Sequence, residues 1–83
     1  MPQAKKTVCH IRLKDGVLDP QGVTIKQALE NLGYDDVVEV RSGKVFTLTF
    51  ADGADDEVRA RSEEICRKLL ANPVIENFEV EEG

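Results

Sequence analysis

Cys9 and His10 are neighbours in a chain with two cysteines and one histidine. A thiol beside an imidazole can become a nucleophile, provided the two side chains reach hydrogen-bonding distance. Residues 7–14 alternate in polarity, however, and successive side chains on a strand leave opposite faces. Cys9, Ile11 and Leu13 therefore point to a core, and Val8, His10, Arg12 and Lys14 point away. Cys66 falls on an apolar helical stripe and reads as a small core residue. The two cysteines and one histidine lack the paired spacing of a metal site. Nine of the 16 Asp and Glu residues cluster at 35–36, 55–57, 63–64 and 81–82. These positions suit turns, helix starts and solvated faces, and no apolar pocket signature surrounds a carboxylate. Gly16 and Gly22 bracket Asp19 without a Gly-Lys-Ser/Thr ending, so they form no phosphate loop. Arg41 and Lys44 flank Gly43: either a solvated turn or a basic contact for a partner or an anion.

The elements that must position these residues follow from periodicity. Residues 7–14 predict a strand with one buried face. Asp19 before Pro20 predicts a helix start, because Asp19 can accept from free N–H groups and Pro20 has no N–H to leave unpaired. Leu18 and Val23 are spaced as a hydrophobic staple, and Thr24 with Gln27 offers a second capping box that would move the start to Thr24. Ile25, Ala28, Leu29 and Leu32 form the apolar stripe of a helix over 20–32. Gly33 ends it as a left-handed cap, with Tyr34 folding back on the last turn. Gly16 and Gly22 are not needed for that cap, so they point beyond local stability.

Residues 37–50 predict a hairpin. A three-residue loop, Arg41-Ser42-Gly43, pairs Val38 with Phe46 and keeps Val38, Val40, Phe46, Leu48 and Phe50 on one face. Gly43 would supply the left-handed third position. A second helix enters at 52–56, buries Val58, Ser62, Ile65, Cys66 and Leu69, and stops near Ala71, because Asn72 precedes Pro73. Residues 76–82 alternate again, with Phe78 and Val80 inward. The order β-α-β-β-α-β predicts an α+β, ferredoxin-like fold: an antiparallel sheet with two helices on one face. The opposite face would carry Val8, His10, Arg12, Val37, Glu39, Val45, Thr47, Thr49 and Glu79, a mixed surface on which another chain can pack.

The chain has 83 residues and a net charge of −5. That length predicts one domain, 1–83, with residues 1–6 a polar, frayed lead. A chain this short buries a modest share of its surface, which favours self-association. The acidic balance disfavours nucleic acid and anionic membranes. No apolar run approaches a membrane span, the N-terminus lacks a signal peptide's apolar region, and few cysteines fit a reducing cytoplasm.

Three blocks stand out together: 14–22 (KDGVLDPQG), 40–44 (VRSGK) and 66–76 (CRKLLANPVIE). In this order and spacing the chain resembles the PurS family, the small subunit of phosphoribosylformylglycinamidine (FGAM) synthase. The resemblance covers Val8 to the end. It implies a homodimer or higher assembly that joins a large synthetase subunit, PurL, to a glutaminase subunit, PurQ, in de novo purine biosynthesis. The complex makes the amidine with ATP and with ammonia released from glutamine. The small subunit helps to pass the ammonia and supplies no catalytic residue. It holds no cofactor; ATP and magnesium belong to the synthetase. Gly16, Asp19, Gly22, Arg41, Lys44 and Asn72 are the candidate partner contacts. The competing reading is a ferredoxin-like regulatory domain that binds a small effector, and a pull-down against the two larger subunits separates the two.

Overall fold

The structure, a computed structural model, describes residues 4–83. Strand β1 (Lys5–Leu13) is the centre of a three-stranded antiparallel sheet, between β2 (Gly43–Phe50) and β3 (Glu76–Glu82). Its alternation works as expected: Cys9 and Ile11 are fully buried, while His10 lies on the other face. Cys9 is registered with Phe46 on one side and Val80 on the other, and Ile11 with Phe78. The inward side chains of all three strands thus lie in rows. Of the polar lead, residues 1–3 lie outside the described residues. Lys5 and Lys6 already belong to β1, and the Lys6 carbonyl accepts from the Gly83 N–H at 3.0 Å.

Helix α2 (Asp55–Ile65) opens with Asp55, Asp56 and Glu57, whose charges suit the positive end of its dipole. It lies over β1 and β3 and buries Val58 and Ser62. The Ser62 hydroxyl donates to the Val58 carbonyl at 2.8 Å, so the buried Thr7 hydroxyl, 2.7 Å away, donates to Ser62. The core is Cys9, Ile11, Cys66, Ala71 and Val80, with Phe46, Leu48, Leu70 and Phe78 packed against it. Past Ile65 the helix widens into a π-helical turn, Cys66–Leu70, closed by the Ala71 N–H on the Cys66 carbonyl. That five-residue step rotates the following side chains. Leu70 and Ala71 turn inward, and Leu69, expected on the buried stripe, is 79% exposed.

The elements follow the ferredoxin-like succession with one strand fewer, β-α-β-α-β, because the segment expected as the first hairpin arm is outside the ladder. Residues 37–42 form no strand, Phe46 pairs with Cys9 and not with Val38, and Val38 is 86% exposed. Arg41 and Ser42 are held instead by the connection between β1 and α1, which draws this segment away from β2. Gly43 does not adopt the left-handed conformation expected of it. Its missing side chain matters for another reason, since a Cβ there would meet the Ile11 carbonyl at 2.8 Å.

Helix α1 (Pro20–Asn31) starts at Pro20, with Asp19 as N-cap. Its start does not move to Thr24, whose hydroxyl donates to the Pro20 carbonyl inside the first turn. It ends with Gly33 at φ +97° and the Tyr34 N–H on the Leu29 carbonyl, the closure expected of a left-handed cap. Yet α1 does not pack on its own sheet. Leu18, Val23, Ile25 and Leu32 are exposed, and the molecule measures 53 × 28 × 15 Å with a radius of gyration of 16.6 Å. A compact chain of this length would have about 12 Å. The helix is an arm that projects beyond the sheet.

Candidate docking site

The site is the root of that arm, where the three sequence blocks meet at one end of the sheet. The first block leaves β1 through a turn closed by the Val17 N–H on the Lys14 carbonyl at 3.1 Å. Gly16 occupies this turn at φ +84°, a conformation that side chains disfavour. Asp19 then caps α1 by accepting from the Gly22 N–H at 3.0 Å. The same carboxylate is buried and accepts from both the N–H and the hydroxyl of Ser42. It binds two chain passes 23 residues apart.

Gly22 is where those passes touch. A Cβ at Gly22 would lie 2.0 Å from the Val40 carbonyl oxygen and 2.9 Å from its carbon, so no other residue fits without moving the backbone. Its surplus in the sequence is explained by close approach within the chain. Arg41 completes the clasp. Its guanidinium donates to the Val17 carbonyl at 2.8 Å and to the Lys14 carbonyl at 3.1 Å. These contacts hold 40–42 against the start of α1 and away from β2.

The third block closes the site from below. The Lys14 N–H donates to the Ile75 carbonyl at 2.8 Å. Lys44 pairs with Glu76 at 3.5 Å, and Glu76 also accepts from the Asn72 N–H at 2.7 Å. Asn72 holds the turn after the helix: its side chain accepts from the Val74 N–H, and its carbonyl accepts from Ile75 and Glu76. Ile11, Leu13, Gln21, Ser42, Lys44 and Glu76 line a shallow cleft that draws on all three blocks. Gly16, Asp19, Gly22, Arg41, Lys44 and Asn72 are thus brought to one region, each with an intramolecular role. Sequence reasoning passed over Ser42 and Glu76 as site residues. Their signal was their place inside the quoted blocks, beside the candidates they bind.

The electrostatics suit a clasp more than a catalyst. The Ser42 and Gly22 N–H groups, the Ser42 hydroxyl and the Arg41 charge hold the Asp19 carboxyl below its ordinary 3.8. It stays ionised and acts as an acceptor. The Cys66 thiol is pushed up to about 12, first by burial and then by its hydrogen bond with Cys9. It stays protonated at neutral pH and is no nucleophile. His10, turned away from Cys9, contacts Glu81 at 2.7 Å on the open sheet face. Among the described residues no group of three His, Cys, Asp or Glu could hold a metal ion, and no helix is long and apolar enough to cross a membrane.

Comparison with known proteins agrees with this geometry. Residues 6–82 match the family model described as PurS, phosphoribosylformylglycinamidine (FGAM) synthase. The PurS subunit of Methanocaldococcus jannaschii is 43% identical over 75 residues, 90% of each chain. The Bacillus subtilis PurS subunit is 43% identical over 79 residues, 93% of each chain. The crystal structure of the M. jannaschii PurS superposes with a TM-score of 0.85 at 40% identity over 95% of both chains. A chain of the Thermotoga maritima PurLQS structure gives 0.87 at 30% identity over the full length of both. With the fold, the three converging blocks and close relatives in agreement, this chain belongs to the PurS family of FGAM synthase subunits.

Proposed function

We propose that this chain is the small accessory subunit of a glutamine-dependent FGAM synthase, working in the cytoplasm in de novo purine biosynthesis. As a homodimer it bridges the synthetase subunit, PurL, and the glutaminase subunit, PurQ, and assists ammonia transfer between them. The likeness to a chain of the T. maritima PurLQS structure supports these partners. The observation that carries the reading is the convergence of the three family blocks on one rigid clasp that holds no nucleophile, metal cluster or phosphate loop.

The physical logic is positional. Ammonia released in one active site is lost if it reaches bulk water or picks up a proton. A rigid bridge that fixes the two active sites and seals their junction raises its effective concentration at the synthetase without chemistry of its own. ATP and magnesium then belong to the synthetase, and this acidic chain binds neither. Arg41, Lys44, Gly16 and Asn72, at the outer edge of the clasp, are the candidate contacts. Asp19 and Gly22 hold that edge in shape.

Reconstitution tests the proposal. Glutamine-dependent amidine formation by the synthetase and glutaminase is expected to require this chain, while ammonia-driven synthesis by the synthetase is not. Undiminished glutamine-dependent activity without the chain overturns the reading. Arg41→Ala with Lys44→Ala is expected to stay folded and to weaken the restoration.

A further inference from the structure

Most of the cations that could find a carboxylate in this acidic chain have found one. Lys5, Lys26, Lys44, Arg59 and Lys68 are all in ion pairs. Lys14 and Arg67 form none among the described residues, although the chain has 16 Asp and Glu residues to offer. Both line one open cleft of about 330 Å³, together with Ala71, Pro73, Glu76 and Phe78. The Arg67 guanidinium lies over the Phe78 ring, 5.9 Å from its centre. An arginine stacked in this way keeps its planar fork of donors for a carboxylate. Glu76 does not neutralise the cleft, because one of its oxygens pairs with Lys44 and the other accepts from the Asn72 N–H. The result is a basic spot with an apolar floor on a molecule of net charge −5.

The walls of this cleft are fixed before anything binds. The Lys14 N–H donates to the Ile75 carbonyl, and the Lys14 carbonyl accepts from the Val17 N–H and from Arg41. The turn that carries Pro73 is closed by the Asn72 side chain and by Glu76. Arg67 stands on the π-helical turn. A preformed surface has little left to order on binding, so a modest contact area can hold a partner. The cleft also has its own place in the molecule. It shares Glu76, and no other residue, with the cleft lined by Ser42 and Lys44. A subunit that bridges two others needs two such surfaces.

We propose that this cleft docks an acidic segment of the glutaminase subunit. One carboxylate of that segment is held between Lys14 and Arg67, and a neighbouring apolar side chain packs on Ala71, Pro73 and Phe78. Charge decides between the two possible partners. A synthetase that takes ATP and a phosphorylated ribonucleotide needs basic residues around its site, and a basic rim repels Lys14 and Arg67. Glutamine carries no net charge, so the glutaminase has no such demand and can present acidic residues at its docking edge. The inference rests on the bridging role in the reading above. It adds the surface, the two cations and the chemistry of the segment they receive.

The test measures the affinity of the purified glutaminase for the assembled chain and synthetase, and separately the affinity of the chain for the synthetase. Lys14→Glu combined with Arg67→Glu is expected to weaken glutaminase binding roughly tenfold or more and to remove most of its salt dependence, while synthetase binding is unchanged. Unchanged glutaminase affinity overturns the proposal, and so does an equal loss for the synthetase. The β1 and β3 amide signals report that the variant is folded. Should that pattern be lost, Arg67→Gln at its exposed position carries the same test, with an expected loss of roughly fivefold. A cross-link identifies the segment. Cys9 and Cys66 are fully buried, so Asn77→Cys places one accessible thiol at the cleft for a photo-cross-linker. The product is expected to contain a glutaminase peptide with Asp or Glu. A link to the synthetase alone, or to a glutaminase peptide with no acidic residue, overturns the proposal. The requirement for this chain in glutamine-dependent synthesis is read separately. If the chain is required but the double variant binds normally, the cleft fails and the accessory role stands; if the chain is not required, the accessory role fails.

Discussion

The sheet with α2 and the arm with its clasp are held by different forces. In the first, Cys9, Ile11, Cys66 and Val80 are removed from water, and the alternation of β1 puts Cys9 and Ile11 on the same side. In the second, the buried groups are polar: one carboxylate and the backbone groups and hydroxyl it binds. The arm's apolar side chains stay outside. The difference teaches how a short chain divides its work. The hydrophobic half supplies stability, roughly in proportion to the apolar area it buries. The hydrogen-bonded half supplies direction, because a carboxylate with fixed donors admits one geometry where apolar contacts tolerate several.

The largest expected effect breaks the hydrophobic half. Ile11→Ala deletes a fully buried side chain at the middle of the central strand. Such truncations cost about 2–5 kcal/mol, as transfer free energy plus the cavity left behind. Urea melts followed by far-UV circular dichroism are expected to show that loss as a fall in midpoint at unchanged slope. A change below about 1 kcal/mol would mean that the core is not where the stability lies.

Gly22→Ala strikes the other half and is expected to act locally. The new methyl group would sit 2.0 Å from the Val40 carbonyl oxygen, so 40–42 must move off the first turn of α1. Hydrogen exchange separates the two regions. The Ser42 and Gly22 amides are expected to exchange roughly tenfold faster or more, while amides at Cys9 and Val80 keep their protection. Equal acceleration everywhere would show that clasp and core open as one unit.

These two sites also differ in how far the sequence announced them. The β1 face, the Asp19-Pro20 start, the Gly33 cap and the stop near Ala71 were legible because each rests on local rules: period two, an N-cap, a left-handed cap, a residue before proline. The hairpin over 37–42 was not. Its apolar alternation is real, but Asp19, 23 residues away, holds Ser42, the middle of the expected loop, against the start of α1, and no local rule counts so distant a partner. The π-helical turn was equally hidden: one widened turn moves Leu69 out and Leu70 in without changing composition. Of the candidate site, all six residues lie in one place. What the sequence could not give is that Gly22 is spent on a contact within the chain.

Acid provides a finer probe of the clasp. The folded Asp19 carboxyl titrates below its ordinary 3.8, so the folded state binds its proton less readily than the unfolded chain does. Its stabilising contribution is complete above 3.8 and is lost as the pH falls through the lower, folded value. The Ser42 amide resonance is expected to follow that titration, with a midpoint below 3.8, while the Cys9 amide stays still. Asp19→Asn, which keeps shape but not charge, is expected to abolish the Ser42 titration. A Ser42 midpoint at or above 3.8 would mean that the carboxylate is not held by these donors.

The smallest effect sharpens the comparison most, because it sets one residue from each half side by side. Leu69 and Leu32 are leucines near the ends of their helices, 79% and 73% exposed. If exposure alone decided, truncating either would cost nothing. Leu69→Ala removes a side chain that the π-helical turn has rotated into water. It is expected to change stability by no more than about 0.5 kcal/mol at any protein concentration. Leu32→Ala removes part of the apolar stripe that α1 leaves open to a partner. Its cost is expected to appear in the dimer and to fade on dilution, since anything bound only to the folded state stabilises it by mass action. Thermal melts of both variants across a hundredfold range of concentration make the measurement. Matching, concentration-independent results would place α1 in the same class as the surface of α2 and leave its stripe without a use.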